Sequence, residues 1–147
     1  MKQITLFSLL WSLTVCSLAF ISCGSSKADE LSFLKEYDRQ YPSEMHLWDK
    51  QPLADRLKQL VGDDAEWASL PSLRGTEMPV AVNGEVVVIA ACEQHNCNRS
   101  NLIIVVDLAA NSVAVGIRKE GAVTVYNESD TVPDALQEWL AQDNNVE

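Results

Sequence analysis

Two uninterrupted apolar runs constrain this chain more than any other feature: Val86-Val87-Val88-Ile89-Ala90-Ala91 and Leu102-Ile103-Ile104-Val105-Val106. Neither shows the polar alternation of a strand with one wet face, and β-branched residues dominate both. Each therefore reads as a strand buried on both sides, central in its sheet and covered above and below. Asn83-Gly84 just before the first run is the strongest two-residue hairpin signal, so the Val80–Val82 stretch joins as an antiparallel neighbour. Later, Val113, Val115 and Ile117 alternate with Ala114, Gly116 and Arg118, and Val123 and Val125 alternate with Thr124 and Tyr126. These two segments read as half-exposed strands nearer an edge.

The helices that cover such a sheet are signalled around it. Leu31, Leu34, Tyr37 or Asp38, and Tyr41 fall three or four apart with Asp29 available as a cap, which predicts an amphipathic helix over 30–41 stopped by Pro42. Pro52, then Leu53, Leu57, Leu60 and Val61, then Gly62, gives a second helix with start and stop signals in order. A helical turn is expected around Trp67, a breaker-rich loop from Pro71 to Pro79, and a last helix opened by Pro133 with Leu136, Trp139 and Leu140 on one face. Trp48, Trp67 and Trp139 read as core, and His46, beside Trp48, as structural. The fold class is α+β: a five-stranded antiparallel sheet with helices packed on it. With 147 residues and no internal repeat, the chain holds one such domain, over residues 30–142, with a polar tail at 143–147.

The N-terminus belongs to no core. Lys2 precedes an apolar stretch from Ile4 to Ile21, and the chain turns polar after Ser22-Cys23-Gly24, the layout of an export signal over residues 1–22. The rival reading is a retained membrane anchor. Phe20-Ile21-Ser22-Cys23 resembles the lipobox of bacterial lipoproteins, which implies acylation of Cys23, a 23–29 linker and a lipid-anchored protein in the bacterial periplasm. Phe20 departs from the usual Leu, and ordinary cleavage between Ser22 and Ala28 is the alternative.

Loss of residues 1–22 removes Lys2 alone among the charges, taking the net charge from -10 to -11. So acidic a protein is repelled by phosphate backbones and anionic lipid headgroups, which argues against nucleic acid and favours a cationic partner. Contact with a membrane is expected only through the lipid. Export also simplifies the cysteines. Cys16 leaves with the signal, Cys23 takes the lipid, and Cys92 and Cys97 remain to pair in an oxidising compartment, closing a loop between the central strands. The alternatives are a reduced pair or a metal site of Cys92, His95 and Cys97, with His46 or a distant carboxylate as fourth ligand.

A ring this short adds only about 2 kcal/mol of stability by chain entropy. It fixes a loop's shape in advance, so that little order is lost on entering a partner's cleft. Cys92-Glu93-Gln94-His95-Asn96-Cys97, with a strand after Asn83-Gly84 before it and Leu102–Val106 after it, resembles the signature loop of the family of inhibitors of vertebrate lysozyme. That loop has the form Cys, Lys, Pro, His, Asp, Cys. The similarity extends over roughly residues 53–140, through Leu57-Lys58-Gln59-Leu60-Val61, Trp67 and the Pro79 strand. It implies that the disulfide-closed loop plugs the cleft of a C-type lysozyme or related muramidase, with His95 against the two catalytic carboxylates. Glu93, Gln94 and Asn96 depart from the family's Lys, Pro and Asp.

The chemistry suits that role. In lysozyme one catalytic carboxyl has its pKa raised to about 6 while the other stays ionised. A protonated imidazole donates from both nitrogens, and charge-assisted bonds are the stronger kind. Enzyme activity is not expected. A thiol-redox role would use Cys92 and Cys97, yet four residues separate them and no helix begins at the first. No Ser-His-Asp set or phosphate-cradling glycine loop stands out, and no cofactor is implied. The competing reading is an exported structural or other-partner-binding lipoprotein without inhibitor activity. Homodimer formation is left open.

Overall fold

The computed structural model describes residues 30–62 and 70–142. The expected signal and linker, the Trp67 turn and the polar tail lie outside these residues.

Six strands form one antiparallel sheet: β1 (Thr76–Glu77), β2 (Ala81–Asn83), β3 (Val86–Cys92), β4 (Asn101–Asp107), β5 (Ser112–Lys119) and β6 (Ala122–Asn127). The order is β1-β3-β4-β5-β6, with β2 also on β3. β4 takes one side of β3, so β1 and β2 share the other as two pieces of a single broken rim. The sheet is therefore five strands wide, as the sequence predicts. The break falls at Pro79, which has no N–H to give the ladder. Val80 turns away from the sheet there, donating its N–H to the Gln40 carbonyl and accepting from the Arg39 N–H. The neighbouring Val82 N–H is taken by the Asp38 carboxylate.

The two apolar runs pair as expected, with Val88 opposite Val105 and Ala91 opposite Leu102. β4 is buried along its whole middle, Leu102 to Val106. β3 departs from the expected cover on both faces: Val86, Val88 and Ala90 retain partial exposure, because the last helix lies over β4 and β5. The first face of the sheet carries the larger core, including Ile89, Ile104 and Val115, packed under α1 (Leu53–Val61) and the N-terminal segment. α1 buries Leu53, Leu57 and Val61, each contributing about 1.5–3 kcal/mol by leaving water. Pro52 sits one residue ahead of that helix and Gly62 closes it at φ 83°. The second face carries α2 (Asp134–Ala141), which buries Leu136 and Trp139 against Ile103, Val105 and Ala114.

Three further expectations are corrected. The helix over 30–41 is a shorter 3-10 helix, Ser32–Tyr37. Leu31 just before it and Leu34 and Tyr37 within it are buried and spaced by three throughout, the spacing that eclipses in a 3-10 helix. Secondly, the 71–79 loop contains a 3-10 helix, Leu70–Arg74, and strand β1. β1 forms because Cys92 and Ala91 are there to pair with, not from propensity of its own. Thirdly, β5 is central and buried from Val113 to Arg118 rather than half-exposed. Its small residues form a docking floor: a Cβ on Gly116 would lie 2.6 Å from Trp139 Cζ3 and 2.8 Å from Leu136 Cδ1. β6 is an edge strand, as expected, but it exposes Val123 and Val125 and turns Thr124 and Tyr126 inward, Tyr126 packing against the larger core.

Trp48 and Trp139 are buried. His46 is exposed at φ 51°, turning the chain into a 3-10 helix, Leu47–Asp49.

Candidate functional site

All six residues singled out from the sequence lie together at one end of the sheet, in the connection from β3 to β4. Cys92 is the last residue of β3 and buried, while Cys97 is exposed. The two sulfurs are bonded, with the Cα atoms 4.9 Å apart. Of the three states open to this pair, the disulfide is the one adopted. Among the described residues no group of three or more His, Cys, Asp or Glu is placed to hold a metal.

Inside the ring the backbone makes a tight turn. The Asn96 N–H donates to the Glu93 carbonyl at 3.0 Å, and His95 occupies the third position with φ 66°. A type II turn requires a positive φ at that position, and His is among the side chains that tolerate it. Gln94 and His95 are exposed at the tip, whereas Glu93 and Asn96 are half-buried. The Asn96 side-chain amide donates to Glu93 Oε2 at 2.7 Å and to Ser100 Oγ at 3.1 Å. Glu93 is therefore engaged within the loop rather than aimed outward beside His95.

The ring stands on a broader footing. The Glu93 N–H donates to the Ser100 carbonyl at 2.9 Å, and the Arg99 and Ser100 N–H groups both donate to the Asn96 carbonyl. Asn101, first residue of β4, donates from Nδ2 to the Cys97 carbonyl at 2.6 Å. Its Oδ1 accepts from Trp139 Nε1. The β5–β6 turn braces the outer side: Gly121 N–H donates to the Arg99 carbonyl, and Arg99 Nη2 donates to the Glu120 carbonyl.

On the other flank Gly75 lies against the tip. A Cβ there would sit 2.9 Å from the Gln94 nitrogen. Gly75 follows Arg74, whose guanidinium stacks 4.4 Å over the Trp48 ring. Burial there lowers the Arg74 pKa, opposed by the charges of Asp49 and Glu77. Glu77 in turn accepts from Trp48 Nε1 and from the Ser43 N–H.

Sequence reasoning found the ring but not these supports. Ser100 is buried, and it and Asn101 hold the loop from beneath. A polar pair set directly before an apolar strand was their available signal. Gly75 had none, since its partner lies in a different segment.

The loop architecture bears on family. The model of the family described as inhibitor of vertebrate lysozyme (Ivy) matches residues 52–145, well over half of the chain. The chain belongs to that family. No curated protein and no solved structure matches it. The Ivy match takes in α1, the whole sheet, the ring and α2, so the ring is part of the Ivy-family domain.

Proposed function

We propose that this Ivy-family chain inhibits a C-type lysozyme by inserting the Cys92–Cys97 loop into the active-site cleft, with His95 against the two catalytic carboxylates. The observation that carries the reading is the placement of His95: exposed at the tip of a covalently closed turn, at the end of the two central strands. A tip already ordered loses little entropy on entering a cleft, so contact energy is retained as affinity. Vertebrate lysozymes of this type are basic, and the net charge of -11 left after loss of Lys2 with the signal accelerates their encounter through long-range attraction. The role is that of a plug, with no chemistry performed by the chain.

Export belongs to the same reading: cleavage before Cys23, acylation of that residue and residence in the bacterial periplasm on a lipid anchor. Mass spectrometry of the native protein checks it, since a lipid-bearing Cys23 at the N-terminus has a distinct mass.

Lysozyme turnover of a cell-wall substrate, measured with a molar excess of the protein, tests the inhibitor reading. Several C-type enzymes left at full activity would reject it. His95→Asn tests the residue, because Asn tolerates the positive φ while removing the imidazole. The variant is expected to lose inhibition; blocking equal to wild type would take His95 out of the mechanism.

A further inference from the structure

Two polar side chains of the ring meet in one hydrogen bond, the Asn96 amide donating to the Glu93 carboxylate at 2.7 Å. An Asp at position 96 with Glu93 retained would set two carboxylates against each other in a half-buried turn. A Lys at position 93 would remove the acceptor that the amide now uses. Each change alone disrupts the contact; together they exchange the acidic and donor ends of one bond.

We infer that Glu93 and Asn96 are a positioning pair that holds the His95 turn closed. Its value for inhibition rests on the reading proposed above, but the pair itself is a property of the free protein. The bond spans the same two residues as the backbone hydrogen bond from the Asn96 N–H to the Glu93 carbonyl, so the turn is clamped twice. The Asn96 amide also reaches Ser100 Oγ, which accepts from the Glu120 N–H at 3.3 Å. The clamp therefore continues into the β5–β6 turn and fixes His95 relative to the sheet and not merely to its own ring.

A charge-neutral swap isolates the pair. Asn96→Asp alone places acceptor against acceptor. E93Q/N96D restores a donor facing a carboxylate and keeps the wild-type net charge, so long-range attraction to a basic enzyme is unchanged. Contacting residues in one network couple strongly enough to move affinity about tenfold. Two readouts are taken on the folded variants: lysozyme inhibition, and hydrogen exchange of the His95 and Asn96 amides without enzyme. N96D is expected to weaken inhibition about tenfold and speed exchange by a similar factor, and E93Q/N96D to recover both. Exchange unchanged in N96D, or equally fast in N96D and E93Q/N96D, would overturn the inference. Should wild type inhibit no lysozyme, the functional reading fails while exchange still decides the pair.

Discussion

Trp139 and Asn101 are joined by a 3.0 Å hydrogen bond, the indole Nε1 donating to Asn101 Oδ1. The bond links the last helix to the residue whose own amide holds the Cys97 carbonyl, so the second-face core and the ring share one side chain. Arg118 completes the corner, its guanidinium stacked 4.5 Å over the Trp139 ring.

Asn101→Ala removes both bonds at once. It leaves the indole N–H and the Cys97 carbonyl to find other partners, for a stability loss of about 1–3 kcal/mol in urea unfolding. Trp139→Phe keeps the ring on β5 and loses only the donor, so about 1 kcal/mol is expected. Asn101→Ala should also weaken inhibition more than Trp139→Phe does, because it alone frees the loop.

Gly75→Ala addresses the opposite flank. The added methyl lies 2.9 Å from the Gln94 nitrogen, a backbone atom of the ring, so it displaces the tip or is displaced by it. Gly75 is exposed, but the atom met is backbone and cannot yield as the end of a side chain would, so stability should also fall by about 1–3 kcal/mol. Inhibition should fall severalfold. A titration of lysozyme activity beside a thermal melt separates the two effects.

Gly116→Ala acts on the fold. Its Cβ collides with Trp139 and Leu136, and forcing extra volume into a packed contact costs about 1–3 kcal/mol. The helix is expected to lift from β5, read as a fall in unfolding midpoint and a red shift of Trp fluorescence.

At the end of the sheet remote from the ring, Arg56 pairs with Glu128 and donates to the Asn111 side chain and carbonyl. Glu128 also accepts from the Val113 N–H, tying α1 to β5 and β6. The side chains of the ion pair are 15% and 26% exposed, so solvent weakens it only in part. Arg56→Ala is expected to lower stability by about 1–2 kcal/mol and leave inhibition at its wild-type level. Equal inhibition by this destabilised variant would separate the role of the ring from that of overall stability.

How much of this was legible follows from what each element depends on. β3 and β4 were plain because a continuous apolar run has few other stable fates, and α1 because its caps are local. β5 misled because Ala114 and Gly116 look like a weak outer face until Trp139 and Leu136, twenty or more residues later, are known to press on them. The 3-10 helix over Ser32–Tyr37 differs from an α-helix by the spacing of three side chains, a distinction blurred by Tyr41 falling one turn further on. In the loop, the Cys residues and His95 were readable from spacing and resemblance. The Glu93–Asn96 bond was not, since only the left-handed turn at His95 brings those side chains face to face.

The interrupted rim formed by β1 and β2 matters for how copies of this protein treat one another. A rim strand with free amides invites a foreign strand to extend the sheet, the opening step of aggregation. Here the Val80 N–H is consumed by Gln40 and that of Val82 by Asp38, and Pro79 has none to offer. The Pro79–Val82 stretch of that margin is closed to intruders from within, so crowding of the molecules need not end in their zipping together along it.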